Sequence, residues 1–455
     1  MARLRTLWLD LLDSLWFIPA AITVACAALA ILLVSINDAV LGGLDPATRW
    51  WVFGGSAEGA AGVLGAIASS IITVTGVVFS VTIVALQLAS SQFTPRVLRQ
   101  FTADRANQIV LGVFIGTFTY TLLVQRTLRS ADGQEYVPSM AVTGAVVLAL
   151  LSIGFLIFFI DHAARSIQAS VIIDGVTRDT LEAIWETFPE RLREGEPAGP
   201  LEGTGYTAGR AEAPRRIGAR AAGYVQSVDT GALVKIARQR QLLVRMEVEN
   251  GRYVLPGDDI MSVWPAADVD DDVVRELRAA LLVGIERTPH QDLELGVIEL
   301  MDIAVKAMSP SVNDPTTALN AIDRMSEILL ELAWRRRGDQ VELSPDGRPL
   351  LIIRRPELDD TVGIAFDQVR HYAASNPTVA IAMIRLLGRL ADLAPHERDT
   401  FAKHLRDVAS AAERTITDPV DLRRVERATS EAMQRAAGPI DAASTRPAGA
   451  DHRAV

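Results

Sequence analysis

The stretch SSIITVTGVVFSVTIVALQLASSQFTP, residues 69–95, contains no charged residue, yet eleven of its side chains are Ser, Thr or Gln. It is long and apolar enough to cross a bilayer, because about 20 apolar residues span the hydrocarbon core. A helix that only faced lipid would not need so many hydroxyl and amide groups. The stretch is therefore predicted to be a membrane helix whose polar side chains have a role besides crossing the bilayer.

Several small and polar residues of this stretch fall on one side of a helical wheel, and Thr75 and Thr82 form a weaker row on the far side. At about 100° per residue, six of the former lie within about 40° of one direction. We call these six the polar stripe: Ser69, Thr73, Gly76, Ser80, Gln87 and Ser91. Small and hydroxylated residues are typical of close helix packing, so a helix seam is one interpretation. The other is the wall of an aqueous path, and the absence of charge in the stripe argues against a proton relay.

Charge-free windows predict four transmembrane helices. They cover residues 14–37, 59–95, 106–125 and 136–160. The first window is longer than the apolar core of a secretory signal and no clear cleavage site follows it, so an uncleaved anchor is expected. If the N-terminus lies in the cytoplasm, six arginines flank the cytoplasmic ends of the four spans and three flank the outer ends. The positive-inside rule then places both termini in the cytoplasm.

The charge of the chain is concentrated after the spans. Residues 1–160 hold eight basic and eight acidic side chains, so the remaining 295 residues carry the whole net charge of -10. A net acidic soluble part argues against nucleic-acid binding, which needs a basic surface. Cys26 is the only cysteine, which excludes an intramolecular disulfide and a cysteine-based zinc site.

The sequence predicts a mostly α membrane protein with five segments. A four-helix transmembrane domain covers residues 1–165, and a helix with a flexible linker covers 166–218. A small β unit follows at 219–266, then a helical cytoplasmic domain at 267–436 and a disordered tail at 437–455. In the β unit, Asn250-Gly251 between apolar runs predicts a hairpin. The pattern of strands and turns is similar to barrel-sandwich domains of the biotinyl-lipoyl type, but the lysine that such domains modify is missing, so a structural role is expected.

The densest polar motif of the soluble part lies in QDLELGVIELMDIAVKAMSPSVNDPTT, residues 291–317. Asp-Pro is a typical helix start, because aspartate caps the N-terminus and proline fits the first helical position. A capped helix junction is therefore one interpretation of this motif. A site for a small ligand or ion is the other. Its candidate residues, here named the 291–316 motif, are Gln291, Asp292, Ser309, Asn313, Asp314 and Thr316.

The segments ITVTGVVFSVTIVALQLASSQFTPRVLRQF and MDIAVKAMSPSVNDPTTALNAIDRM together resemble a bacterial family of predicted inner-membrane proteins, domain of unknown function 2254. The resemblance implies a four-helix membrane part and a cytoplasmic C-terminal part in the bacterial inner membrane, and it brings no established activity. We expect no enzyme activity, because no P-loop, HExxH, GxSxG or kinase signature is present, and we expect no cofactor. Two functions remain open: a homo-oligomeric channel or transporter with the second span at its axis, and a membrane-anchored regulatory or scaffold protein.

Overall fold

A computed structural model describes residues 16–37, 51–92, 104–131, 134–188, 190–193, 212–288, 291–336 and 338–437. The chain divides into two compact units, Met1–Ile172 and Ile173–Val455. The described part is mostly helical, with four candidate membrane helices in the first unit and a mixture of helices and sheets in the second. This outline agrees with the predicted fold class.

The first unit contains four helices that are long and apolar enough to cross a membrane. They are α1 (Phe17–Ser35), α2 (Ala57–Gln92), α3 (Arg105–Gln125) and α4 (Ser139–Ser166). Two short antiparallel strands, β1 (Arg129–Ala131) and β2 (Gln134–Tyr136), connect α3 to α4. The predicted number and order of spans are confirmed.

The third helix lies at the centre of this bundle. It packs against each of the other three helices, and it is the most buried of the four. Near one end of the bundle, Leu64 of α2 and Tyr120 of α3 belong to one apolar cluster. Near the other end, Val78 of α2 clusters with Val110 of α3. The two helices are therefore antiparallel, and α3 carries most of the packing that holds the unit together.

The second unit consists of helices, strands and short connections. Its helices are α5 (Ala169–Thr187, which begins just before the boundary between the units), α6 (Thr230–Arg240), α7 (Asp271–Ala279), α8 (Leu293–Ala307), α9 (Pro315–Ala333), α10 (Leu358–Ala373), α11 (Pro377–Leu393), α12 (Arg398–Thr415) and α13 (Pro419–Ala437). Its strands are β3 (Arg215–Gly218), β4 (Gly223–Val228), β5 (Leu243–Met246), β6 (Tyr253–Val254), β7 (Asp259–Trp264), β8 (Leu281–Gly284), β9 (Gln340–Leu343) and β10 (Pro349–Ile353).

The strands of the second unit form two sheets over a shared apolar core. The larger has the order β3-β7-β5-β10-β9, in which only β10 and β5 are parallel, and the smaller has the order β6-β4-β8. Val225 and Val244, one from each sheet, are fully buried in this core with Leu233 of α6. The remaining helices pack on one another: α8 contacts α9 and α10, and α11 contacts α12 and α13.

Two details of the predicted β unit are wrong. The Asn250-Gly251 turn does not close a hairpin, because β5 before it pairs with β7 and β6 after it pairs with β4. The barrel-sandwich pattern is not confirmed. The sheets also extend past residue 266: β8, β9 and β10 come from the region predicted to be helical. The apolar run of β10 enters the larger sheet beside β5, about 100 residues away in sequence, and short-range patterns do not report such a pairing.

The segment that follows the last membrane helix is part of the second unit's core. Ile173 and Ile184 of α5 are fully buried, and Thr180 lies directly against Gly296 of α8. Asp174 of α5 forms an ion pair with Arg324 of α9 at 3.1 Å. Most of the predicted flexible linker, at residues 194–211, and the predicted tail from residue 438 lie outside the described residues.

Candidate functional site

The polar stripe lies on a face of α2 that no other described residue of the first unit covers. Ser69, Thr73, Gly76, Ser80 and Gln87 are all exposed. A Cβ atom added at Gly76 would meet no other atom within 4 Å, and the same holds at Gly62 and Gly65, which extend the stripe towards the start of α2. Among the described residues, the stripe is therefore not a seam between helices of one chain.

The opposite face of α2 is the packed one. Leu64, Ile71 and Val78 are at most 7% exposed and contribute to the apolar clusters between α2, α3 and α4. These residues lie about 150–175° from the centre of the polar stripe on the helical wheel. Both rows run along the same helix, so α2 has one face for its own bundle and a second, small and polar face directed away from it.

The hydroxyl groups of the stripe are partly satisfied within α2. Ser69 Oγ donates a hydrogen bond to the carbonyl oxygen of Ala66 at 3.1 Å, and Thr73 Oγ1 donates to that of Ser69 at 2.8 Å. Such bonds let Ser and Thr lie in a membrane helix at little cost. The oxygen lone pairs of these two side chains still point away from the bundle and can accept a hydrogen bond or contact a solute.

The last turns of α2 extend beyond the level at which α3 begins. Val78 lies level with Val110 in one cluster. From there α2 continues for 14 residues, about 21 Å, whereas α3 begins only five residues before Val110, about 8 Å away at 1.5 Å per residue. Gln87 is therefore on the projecting part of α2, as is Ser91, whose side chain lies outside the described residues. Much of the polar character of the stretch 69–95 belongs to this extension.

The helix seam within the chain is formed by α1 and α3 instead. A Cβ atom on Gly112 would lie 3.0 Å from the backbone Cα of Pro19 and 2.8 Å from the side chain of Ile22. One on Gly116 would lie 2.8 Å from Cys26 Sγ. These glycines are four residues apart and form a GxxxG pattern, which lets two helices approach closely. Sequence reasoning missed this seam although the pattern was available to it.

Hydrogen bonds add to the packing of α3 against α4. Thr117 Oγ1 and Ser152 Oγ lie 3.1 Å apart, and the Tyr120 hydroxyl donates to the carbonyl oxygen of Ala141 at 2.8 Å. Where α3 begins, Asp104 caps the helix through the N–H of Ala106 and also contacts His162 Nε2 of α4 at 2.6 Å. The Asp104–His162 pair was not predicted, because no sequence spacing relates two residues 58 positions apart.

The six residues of the 291–316 motif do not form one site. Gln291 and Asp292 lie at the start of α8, whereas Ser309, Asn313, Asp314 and Thr316 lie beyond its end. The 15 residues of α8 separate the two groups by about 22 Å at 1.5 Å per residue. A ligand site that uses all six is thereby excluded, and the two groups have separate roles.

Asp292 of the first group belongs to a largely buried ionic cluster, whereas Gln291 accepts hydrogen bonds from Val228 N and Asn250 Nδ2. Arg287 holds both carboxylate oxygens of Asp292, at 2.6 and 2.7 Å, and approaches Glu294 at 3.5 Å. Asp292 also caps α8 by accepting from the N–H of Leu295. Gly251 has positive φ and no room for a Cβ, because that atom would overlap Asp292 and Arg287. The Asn250-Gly251 turn therefore closes over this ion pair, which explains its sequence better than a hairpin does.

The charges of this cluster are only partly balanced. Burial lowers the pKa of the Arg287 guanidinium, but hydrogen bonds and charge from Asp292 and Glu294 outweigh burial and leave that pKa raised. Burial raises the pKa of the Glu294 carboxyl, and the opposing charge of Arg287 does not cancel the effect. The cluster is therefore a buried structural ion pair with one additional carboxyl group that retains its proton more readily than an exposed glutamate.

The second group forms a capped helix junction. Asp314 Oδ1 accepts from the N–H groups of Thr316 and Thr317, each at 3.1 Å, and Asp314 Oδ2 accepts from the Thr317 hydroxyl. These hydrogen bonds, with that of the Thr317 hydroxyl the largest contribution, lower the pKa of Asp314. Asn313 adopts the left-handed conformation, with φ of 47°, and its N–H donates to the Ser309 carbonyl oxygen. The geometry matches the capping interpretation.

Among the described residues, no group of three or more His, Cys, Asp or Glu side chains is placed to hold a metal ion.

Four candidate membrane helices followed by a mixed helical and sheet unit define the chain as a membrane protein. It belongs to the family described as Predicted membrane protein (DUF2254), whose model matches residues 12–389. The resemblance inferred from the two sequence motifs is thereby confirmed.

The chain is also similar to curated mycobacterial proteins. Uncharacterized proteins of Mycobacterium bovis and Mycobacterium tuberculosis are each 32% identical to it over 396 residues, which cover 84% of this chain and 74% of the relative. No solved structure matches. The comparisons thus establish the family and leave the activity to be argued from the residues.

Proposed function

We propose that this membrane protein assembles from several copies into a channel or transporter in the bacterial inner membrane, with the α2 helices around the axis. The observation that carries this proposal is the exposure of the polar stripe. Ser69, Thr73 and Ser80 are directed away from the chain's own bundle, whereas the apolar face of α2 is packed. In a bilayer, a row of hydroxyl groups is better placed against other protein or water than against lipid.

The chemistry of the stripe favours a small polar solute or an ion that needs no fixed countercharge. Hydroxyl oxygens can replace part of a solute's water shell, and Gln87 adds an amide on the projecting end of α2. Gly62, Gly65 and Gly76 leave the centre of the assembly open or allow neighbouring α2 helices to approach closely. With both termini in the cytoplasm, the projecting end of α2 is the cytoplasmic mouth of this path. The proposal assigns no catalytic step and no cofactor to the chain.

The proposal is tested by flux combined with cysteine modification. In a Cys26→Ala background, single cysteines replace Ser80 in the stripe, Val78 on the packed face and Val81 on an exposed face outside the stripe. Purified proteins are reconstituted in liposomes, and flux is measured before and after a charged thiol reagent. Because thiolates form only where water reaches, we expect modification and block at position 80 alone. Equal lack of reaction at all three positions, with no flux above empty liposomes, would refute the channel.

A second candidate is a regulatory protein whose second unit responds to a partner or small ligand. The specific observation is the short connection between α4 and α5: α4 ends at Ser166 and α5 begins at Ala169. Because α5 is packed in the core of the second unit through Ile173 and Thr180, a rearrangement there that moves α5 would pull on α4. Inserting a flexible Gly-Ser segment after Ser166 should abolish such coupling while both units remain folded. If the insertion changes neither flux nor its response to cytoplasmic ligands, the regulatory role is refuted.

A further inference from the structure

Arginine side chains gather at one place in the second unit, where residues 190–193 meet the end of α9. Leu192 N donates to the Trp334 carbonyl oxygen at 2.8 Å, and Arg336 N donates to that of Glu190 at 2.9 Å. Arg355, which follows β10, reaches the same place, since its guanidinium carbon lies 4.5 Å from the centre of the Phe188 ring. We name three residues, whose side chains contact Phe188 or Glu190, the arginine cluster: Arg335, Arg336 and Arg355.

Two members of the cluster have carboxylate partners of their own. Arg335 forms an ion pair with Glu331 one turn earlier in α9, and it also donates to the Phe188 carbonyl oxygen at 3.1 Å. Arg336 forms an ion pair with Glu190 at 3.1 Å. These contacts attach Phe188 and residues 190–192 to the end of α9, so both backbone and side-chain hydrogen bonds hold the arginine cluster in place.

Arg355 differs from these two. No ion pair among the described residues includes it, and its Nη2 donates to a neutral acceptor, Gln340 Oε1, at 2.6 Å. Gln340 in turn donates to Glu342 at 2.7 Å, so the hydrogen bonds connect Arg355 to the Glu342 carboxylate only through Gln340. The guanidinium carbon lies over the ring of Phe188, which is fully buried. A cation–π contact with a buried ring and the hydrogen bond to Gln340 together hold the guanidinium in place.

The surroundings leave the positive charge of Arg355 under-compensated. Burial lowers the pKa of Arg355 to about 10, although the charges of Glu342 and Glu190 act in the opposite direction. The guanidinium still holds its proton at neutral pH, so the fold keeps a partly buried cation without a carboxylate in contact. Such a charge is costly unless an anion pairs with it.

We propose that the arginine cluster is a binding site for a phosphate group, held chiefly by Arg355. The planar fork of a guanidinium fits two oxygens of a phosphate at once, and the side chains of Arg335 and Arg336 contact Phe188 and Glu190 of the same segment. Two sources can supply this chemistry: a free phosphate or phosphorylated metabolite, and the headgroup of an anionic phospholipid. The proposal does not depend on the channel.

The first arm of the test uses inorganic phosphate. Full-length protein in a phosphate-free neutral detergent is titrated with phosphate, and with chloride at equal ionic strength, while thermal unfolding and heat of binding are recorded. We expect phosphate to raise the unfolding temperature of the wild type. The affinity for phosphate should fall at least tenfold in Arg355→Gln. It should fall less in Arg355→Lys, which keeps the positive charge but not the planar guanidinium group. Arg354→Gln is the matched control, because Arg354 is exposed and pairs with Glu249 instead.

The second arm tests the lipid source. Native mass spectrometry compares how the same variants retain phosphatidylglycerol and phosphatidylcholine. A preference for phosphatidylglycerol that Arg355→Gln loses, without an effect of inorganic phosphate, assigns the site to a headgroup, and the reverse result assigns it to a soluble phosphate. Without ligand, Arg355→Gln should unfold at no lower temperature than the wild type, since an under-compensated charge has been removed. If neither ligand distinguishes the wild type from Arg355→Gln, or if Arg354→Gln loses as much, the proposal is overturned.

Discussion

The close approach of α5 to α8 makes Gly296 the position where one methyl group should matter most. A Cβ atom at Gly296 would lie 2.9 Å from Thr180 Cβ and closer still to Thr180 Oγ1, which is buried and bonded to the Val176 carbonyl oxygen. Neither helix can give way freely, so overpacking should cost about 1–3 kcal/mol. Replacing glycine by alanine inside a helix returns up to about 1 kcal/mol. We therefore expect Gly296→Ala to lower the free energy of unfolding by about 1–2 kcal/mol.

Gly363 of α10 provides the matched control. It also lies inside a helix of the second unit, but its nearest neighbours to an added Cβ would be 3.5 Å away or farther. Gly363→Ala should therefore stabilise by about 0.5–1 kcal/mol through helix propensity alone. The assay is urea unfolding of the full-length protein, followed by tryptophan fluorescence. Thr180→Ala should reduce the cost of Gly296→Ala, because it removes Oγ1. If both alanine variants shift stability equally, or if Thr180→Ala gives no relief, α5 is not packed as described.

Three further predictions concern other contacts. Gly112→Leu should unfold the first unit, because the leucine side chain would overlap the backbone of α1. Gly76→Leu, in contrast, should leave each chain folded and disrupt only the assembly of several chains. Thermal unfolding measures the first effect and size-exclusion chromatography the second. Asp292→Asn should cost about 3 kcal/mol, since it breaks a buried ion pair, whereas Glu294→Gln should cost less. Asp314→Ala should lower stability by about 1 kcal/mol and Asp314→Ser should restore most of it, because serine also caps helices.

The ionisable groups among these residues give opposite pH dependences. The pKa of Glu294 is raised in the folded chain, so between the ordinary and the raised value the folded chain keeps a proton that the unfolded chain has lost. Stability should fall as pH rises through that window, and Glu294→Gln should remove this slope. The pKa of Asp314 is lowered, so its contribution is present above the ordinary carboxyl pKa and is lost as pH falls through the lowered value. An unchanged slope in Glu294→Gln would contradict the first assignment.

The membrane helices could be predicted from the sequence because length and apolar composition are local properties. The wheel also separated the polar stripe from the rest of α2. It could not tell which face of α2 meets α3, because a row of glycine and hydroxyl groups suits a seam as well as an open surface. The true seam lies at Gly112 and Gly116, and its partners Pro19 and Cys26 are about 90 residues earlier in the chain.

The second unit shows where sequence proximity misleads. Asp292 and Asp314 belong to one dense motif, yet a whole helix separates them and each caps a different helix. Arg287, which defines the ionic cluster, and Arg355, which defines the arginine cluster, carried no sequence signal, because burial and distant partners give them their properties. The capping role of Asp314 was accessible to sequence reasoning, since Asp-Pro fixes a local conformation.

Whether α2 helices of different copies face one another can be measured by disulfide cross-linking in native membranes. Single cysteines replace Ser69, Thr73 and Ser80 in the stripe, and Val77 and Val81 on other exposed faces of α2, all in a Cys26→Ala background. Disulfides form only when the two Cβ atoms approach within about 4.5 Å. We predict cross-linked dimers at the stripe positions and none at Val77 or Val81. Monomer at every position after oxidation, or equal cross-linking on all faces, would contradict an assembly built around the polar stripe.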